Sequence, residues 1–206
     1  MDTNESQSGR LLADYAAGTR NFEHVDLREC RLSGRQLLSV CLRRADLTSA
    51  DLSDARVNHA DLTEAMMWRV NLSRASLLWA NLHQAVMVRC DASGANFSGA
   101  NLHRSDLRLA DLRGACLAGA NLRGAKLCYS DLRGADLTGA DLTGADLTGA
   151  KLRGACLKAV CLRAAVLQPE QLDDDARLQV VPDLGVVALS KSDLTGSNDA
   201  RSLTAV

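Results

Sequence analysis

Residues 131–152 read DLRGADLTGADLTGADLTGAKL and carry the strongest pattern in the chain. The five-residue unit Ala-Asp-Leu-Xaa-Gly recurs there without insertion or deletion. Steps of five outward from these leucines meet an apolar residue at every position from Phe22 to Leu167. A small residue, usually alanine, lies two positions before nearly all of them. One repeat therefore organises residues 22–167 of a chain of 206.

A period of five fits neither an α-helix, with 3.6 residues per turn, nor a strand, with a period of two. Four units can close a square, which predicts coils of about twenty residues stacked at the sheet spacing of ~4.8 Å. The leucine and the small residue would point inward, and each coil would bury its apolar face only against its neighbours. Sides 1, 2, 3 and 4 are defined here by Leu42, Leu47, Leu52 and Val57 and by every twentieth residue from each.

The A(D/N)LXX pattern resembles that of the pentapeptide-repeat proteins, over the whole of residues 22–167. The resemblance implies an all-β fold, a right-handed quadrilateral β-helix, which is a solenoid. It implies less about function, because the family includes DNA mimics that protect gyrase, cyanobacterial regulators and effectors.

Three segments are predicted. Residues 1–21 form a polar N-terminus, mobile to Ser8, and a short capping helix over Gly9–Ala17 that ends at Gly18, since glycine is the usual residue just after a helix. Residues 22–167 form the β-helix. Residues 168–206 form a C-terminal cap, with a short helix after Pro169, and an irregular, flexible tail.

Two details of the core can be read from the repeat. Arg20 and Arg35 occupy positions that should point inward, and a buried unpaired arginine is very costly. Either the first coil is distorted or Arg35 leaves it through a corner, and we favour distortion. Phe97 is oversized and its neighbour Ala92 undersized within one coil. Their volumes compensate, as close packing requires, which supports the four-sided arrangement.

Composition limits the partners and the compartment. The net charge is −1 and the pI about 6.4, which argues against direct binding of nucleic acid or of an acidic membrane. Seven cysteines without a CxxC pair indicate free thiols in a reducing compartment. Residues 1–9 lack the apolar core of a signal peptide and no apolar run is long enough to span a membrane. We therefore expect a cytoplasmic protein.

Outward-facing apolar residues on side 2 are the main candidate for a binding surface. Met66, Trp68, Val86 and Val88 lie in adjacent coils and would form a patch of the size that marks interaction sites, a few hundred Å². Either another protein or a second copy of the chain covers this patch, or a terminal extension folds over it.

Side 4 offers a smaller candidate surface. Leu78 and Trp79 would present an interface anchor. Alternatively, Trp79 and His59 form a stabilising cross-strand pair between neighbouring coils.

Side 3 carries a column of arginines, Arg113, Arg133 and Arg153, spaced at the coil repeat. The column could bind an acidic partner surface or phosphates. Alternatively it is a solvated face that Asp111 and Asp131 neutralise.

No catalytic constellation accompanies these surfaces. His83 and His103 stack on side 1, but without a carboxylate or cysteine beside them they make a poor metal site. No Ser/His/Asp set or phosphate-binding glycine loop appears. We predict no catalytic residues, no cofactor and no metal.

The function predicted is that of a non-catalytic interaction, scaffold or regulatory protein that presents a flat side of the β-helix to a partner protein. The alternative, implied by the resemblance, is a DNA mimic that inhibits or protects a topoisomerase such as gyrase. Such a mimic requires a strongly acidic rod, which this near-neutral composition does not favour.

Overall fold

The computed structural model describes residues 3–168, 171 and 187–188. Helix α1 spans Thr3–Ala16, a long series of coils follows, and two short strands end the described part. Strand β1 spans Val166–Leu167 and strand β2 spans Val187–Ala188.

The coils repeat every twenty residues. Parallel bridges join residue i to residue i+20 without a break, from Asn21 with Cys41 to Asp146 with Val166. The Leu122 N–H, for example, donates to the Asp141 carbonyl of the next coil at 2.7 Å. The four-sided arrangement predicted from the period of five is confirmed, because four units separate each pair of bonded residues.

Each side ends in a four-residue turn. The Ala45 N–H donates to the Leu42 carbonyl at 3.1 Å, and the same bond recurs along the chain. The third residue of every turn has a positive φ. Glycine adopts such a φ without strain, whereas other L-residues are disfavoured there. The C-terminal coils mostly have glycine at this position, and the N-terminal coils mostly do not, as at Ser49.

Two aromatic rings cover turn glycines of the next coil. A methyl group on Gly99 would lie 2.4 Å from the ring of Trp79, and one on Gly149 would lie 2.5 Å from the ring of Tyr129. Both rings therefore lie flat on backbone that has no side chain. This packing was not predicted from the sequence.

Gly99→Ala should destabilise the protein more than Gly139→Ala does. Both positions have a φ near +65°, so each alanine should cost about 1 kcal/mol through backbone strain. Only at Gly99 must an aromatic ring also move aside, which should raise the loss to about 2 kcal/mol. Urea unfolding of both variants measures the difference, and equal losses would show that the Trp79 ring contributes nothing at Gly99.

The core contains the residues that the repeat places inward. Their leucines and alanines are almost fully buried in one continuous cluster. Phe97 and Ala92 are both completely buried in the same coil. Ser105 and Ser130 replace alanine in the small-residue columns, and each hydroxyl donates to the carbonyl three residues earlier. These buried hydroxyl groups are therefore satisfied.

The expected distortion of the first coil is wrong. Arg35 is exposed, and its backbone makes the usual turn bond to Leu32 at 3.2 Å and accepts from Arg56 at 2.8 Å. Arg20 is also exposed, and its guanidinium lies 3.8 Å from the centre of the Tyr15 ring. No coil precedes the first one, so these side chains are not enclosed between two coils.

Helix α1 packs against the first coil. Leu11 is buried in the core, and the Tyr15 hydroxyl donates to the Leu38 carbonyl at 3.0 Å. Gly18 follows the helix with a positive φ and donates to Tyr15 while Thr19 donates to Asp14, which is the Schellman arrangement.

The helix begins earlier than predicted. It starts at Thr3 rather than Gly9, so the residues expected to be mobile up to Ser8 are largely helical. Ser8, near the middle of the helix, is buried.

The C-terminal end of the stack is partly described. Strand β2 pairs in parallel with β1, with Val187 opposite Val166 and Ala188 opposite Leu167. The Gln171 side chain donates to the Leu147 and Ala150 carbonyls, both at 2.7 Å. The predicted helix after Pro169 and the predicted flexible tail lie outside the described residues.

Candidate functional site

The structure brings together the four apolar residues predicted on side 2. A parallel bridge joins Met66 to Val86, and Trp68 and Val88 follow two residues later in the same two coils. Met66 and Trp68 are each 43% exposed, whereas Val88 is only 6% exposed. Val88 faces outward as predicted, but it forms the floor of the surface rather than a projecting contact.

This surface continues towards the C-terminus as a groove. Leu109 and Tyr129 occupy turn positions of the next two coils and are 47% and 64% exposed. They complete a concave region of about 580 Å³ with Trp68 and Val88. The groove, called the side-2 groove below, is lined by Trp68, Val88, Arg89, Arg108, Leu109, Cys128 and Tyr129.

Leu109 and Tyr129 were missed in the sequence. They sit at the third turn position, which the pattern assigns to glycine or polar residues, so the inward and flanking columns do not predict them. A large apolar side chain at a position that favours glycine is the signal that could have found them.

The groove is bordered by positive charge. Arg108 pairs with Asp106 through two hydrogen bonds of 2.7 and 2.8 Å to its two oxygens. Burial opposes ionisation of Asp106, but the hydrogen bonds from Arg108 outweigh it and lower the pKa of this carboxyl. Arg69 and Arg89 are exposed and have no ion-pair partner within residues 3–168. None of the described residues that line the groove is acidic.

Leu78 and Trp79 lie on the opposite side of the coil from Trp68, so they belong to a separate surface. Trp79 is 65% exposed and Leu78 is partly buried. The Trp79 ring lies over Gly99, which is in the next coil and away from His59. The predicted pairing of Trp79 with His59 is therefore not the arrangement found.

The arginine column on side 3 is largely neutralised. Arg113 forms an ion pair with Asp111, and Arg133 forms one with Asp131, each at 2.6 Å. Hydrogen bonds from these arginines lower the pKa of both carboxyls. Lys151 replaces the next aspartate, and Arg153 has no acidic partner in the described part of the chain. The geometry thus supports a solvated Arg/Asp face, and an anionic partner of this column stays a prediction.

The titratable groups of residues 3–168 are spread along the stack, and two of the histidines are in contact. The His83 and His103 rings stack with their centres 5.1 Å apart. Within the described residues, no three His, Cys, Asp or Glu side chains could hold a metal ion together. None of the seven cysteines forms a disulfide bond, and burial raises the pKa of the Cys90 thiol to about 12.

A family model agrees with this geometry. The model described as pentapeptide repeats matches in eight copies over residues 41–77, 75–114, 105–144, 115–154 and 130–168. The chain belongs to the pentapeptide-repeat family. This membership implies the right-handed quadrilateral β-helix of the family, with which the twenty-residue coils agree.

Solved structures of other pentapeptide-repeat proteins are similar. One from the thylakoid lumen of Arabidopsis thaliana is 28% identical with a TM-score of 0.48, and the match covers 49% of this chain and 70% of that one. HetL, involved in heterocyst differentiation regulation in the cyanobacterium Nostoc sp. strain PCC 7120, is 32% identical with a TM-score of 0.31. The match covers 77% of this chain and 96% of HetL. QnrB1, a plasmid-mediated fluoroquinolone resistance protein, is 21% identical with a TM-score of 0.45. The match covers 84% of this chain and 90% of QnrB1.

Two further findings are negative. No curated protein matches this pentapeptide-repeat chain. None of the helices in the described residues has both the length and the apolar character needed to cross a membrane.

Proposed function

We propose that this pentapeptide-repeat protein is a non-catalytic binding protein whose contact surface is side 2, with Met66 and Trp68 as its most exposed anchors. The observation that carries the proposal is the continuous apolar surface from Met66 to Tyr129, which includes the side-2 groove. Exposed tryptophan and tyrosine beside a partly enclosed apolar floor are typical of protein interfaces. We further propose a cytoplasmic location, which the seven cysteines without a CxxC pair support.

The described ends of the chain do not cover this surface. Helix α1 contacts the first coil, near Phe22 and Val25. Strand β2 pairs at Val166, which lies five coils from Met66, or ~24 Å at the sheet spacing. The surface is therefore accessible to a partner as far as the described residues extend.

The charge pattern favours this function over DNA mimicry. A mimic needs rows of carboxylates without neighbouring cations, because they must imitate the rows of phosphates on duplex DNA. Here arginines pair with Asp106, Asp111 and Asp131. A gyrase supercoiling assay with and without the protein tests the alternative, and we expect no effect on supercoiling.

Trp68→Asp should abolish association with a partner, or self-association, while the β-helix stays folded. A buried interface tryptophan commonly contributes 2 kcal/mol or more, so the complex should weaken by at least about thirtyfold. The measurement is a pull-down from source-cell extract with mass spectrometry, together with the molar mass of the protein by light scattering.

Leu38→Asp is the matched control, because Leu38 is 40% exposed but lies on side 4 of the first coil. Wild type and Leu38→Asp should retain the same partner, and Trp68→Asp should lose it. Retention of that partner by Trp68→Asp would show that side 2 is not the interface.

A further inference from the structure

We infer that the side-2 groove binds an acidic segment of a partner protein, with apolar anchors in the groove and carboxylates on Arg69 and Arg89. This inference deepens the proposed function and rests on it. It specifies the chemistry of the partner, which the exposed apolar surface alone does not.

The shape of the groove suits a peptide segment. From Trp68 to Cys128 it crosses three coil steps, or ~14 Å at the sheet spacing, which about four extended residues would span. Val88 forms its floor, and the half-exposed side chains of Leu109 and Tyr129 border it. One or two large apolar side chains of a partner would therefore fill it.

The charges around the groove determine which charge a bound segment of the partner should carry. Arg69 and Arg89 are vertical neighbours in the turn column of side 2, where like charges oppose each other. Neither has a carboxylate partner in the described part of the chain, whereas Lys126 on the same side lies between Asp106 and Asp146 in the ladder. Carboxylates of a bound segment would relieve this repulsion and form charge-assisted hydrogen bonds with the guanidinium groups.

A second copy of the chain fits this surface less well. A stable complex buries about 800 Å² per partner, whereas an apolar patch of this kind measures a few hundred Å². In a twofold dimer through side 2, the same arginines would also approach one another, because both subunits use the same patch. An acidic segment avoids both difficulties.

Fluorescence anisotropy with designed peptides tests the inference on the full-length protein. The probe is a short fluorescein-labelled peptide in which Asp and Glu flank a central Leu-Phe pair. One control peptide has Lys and Arg in place of the acidic residues, and another has Ser in place of Leu and Phe. Wild type should bind the acidic apolar probe at least about tenfold more tightly than either control peptide.

Charge inversion provides the decisive variant. The double substitution Arg69→Glu with Arg89→Glu should weaken binding of the acidic probe about a hundredfold and make the basic peptide the preferred one. Arg153→Glu inverts an arginine on side 3 that has no acidic partner among the described residues, and it should not change binding of either peptide. If the double variant keeps the affinity of wild type for the acidic probe, or if wild type prefers the basic peptide, the inference is wrong.

The remaining outcomes separate the inference from the proposed function. Loss of a cellular partner by Trp68→Asp, together with no binding of the acidic probe, would refute the acidic segment and leave side 2 as the interface. Tighter probe binding after Asp173→Asn, Asp174→Asn and Asp175→Asn would show that the chain's own acidic stretch is the occupant. Displacement of the probe by a poly(dT) oligonucleotide that binds more tightly would assign the groove to nucleic acid. Each of these results overturns the partner-segment assignment.

Discussion

Deleting the single residue Thr143 should unfold the C-terminal part of the stack, whereas deleting the twenty residues 131–150 should leave the protein folded. The one-residue deletion displaces every later leucine from its inward position, beginning with Leu147. Because each coil buries its apolar face only against its neighbours, the misaligned coils lose that burial together. The loss should exceed about 5 kcal/mol, which is comparable with the whole stability of many domains.

The twenty-residue deletion removes one complete coil and joins Ser130 to Lys151. Both residues keep their places in the five-residue pattern, so every later leucine still points inward. Circular dichroism during thermal unfolding and limited proteolysis measure both variants. A cooperative, protease-resistant Thr143 deletion would contradict the prediction, because it would show that a turn can absorb a missing residue.

Phe97→Ala should lower the free energy of unfolding by about 3–5 kcal/mol. The Phe97 side chain is completely buried, and truncation removes its burial and leaves a cavity that the neighbouring coils can close only in part. Urea unfolding followed by circular dichroism measures the change. A loss below about 1 kcal/mol would mean that the coils collapse into the space.

A double substitution tests why Phe97 is tolerated in a leucine column. Ala92→Leu alone should cost about 1–3 kcal/mol, because it overfills a coil that already holds Phe97. Phe97→Leu with Ala92→Leu restores the leucines of the repeat and should be more stable than Ala92→Leu alone. Strictly additive effects of the two substitutions would show that the two volumes do not compensate.

The ends of the β-helix show the limits of prediction from the repeat. Gly18 was recognised as the end of the first helix, because glycine after an apolar helical pattern is a local signal. The start at Thr3 was missed, because packing of Leu11 on the first coil stabilises helical residues that show no apolar pattern of their own. The outcome at Arg35 was wrongly predicted for a similar reason, since the repeat does not distinguish a coil that lies between two other coils from the first coil of the stack.

The candidate site was predictable only in part. Met66 and Trp68 break the polar character of their columns, and the structure exposes both as expected. Val88 also interrupts a polar column, but it lies at the floor of the groove and is almost completely buried. Leu109 and Tyr129 line the groove from the turn column. A prediction that considers only inward and outward positions does not include this column.

The sequence by itself determined the coil, its four sides and its buried columns. This was possible because the five-residue period acts through local turns and through the backbone bonds between residues twenty apart. Only the tertiary structure decided what the outward side chains do. Rings cover Gly99 and Gly149, Arg113 pairs with Asp111, and Arg69 and Arg89 have no ion-pair partner among the described residues. Those outcomes depend on how far a side chain reaches towards the coils beside it, and the period of the repeat carries no information about that reach.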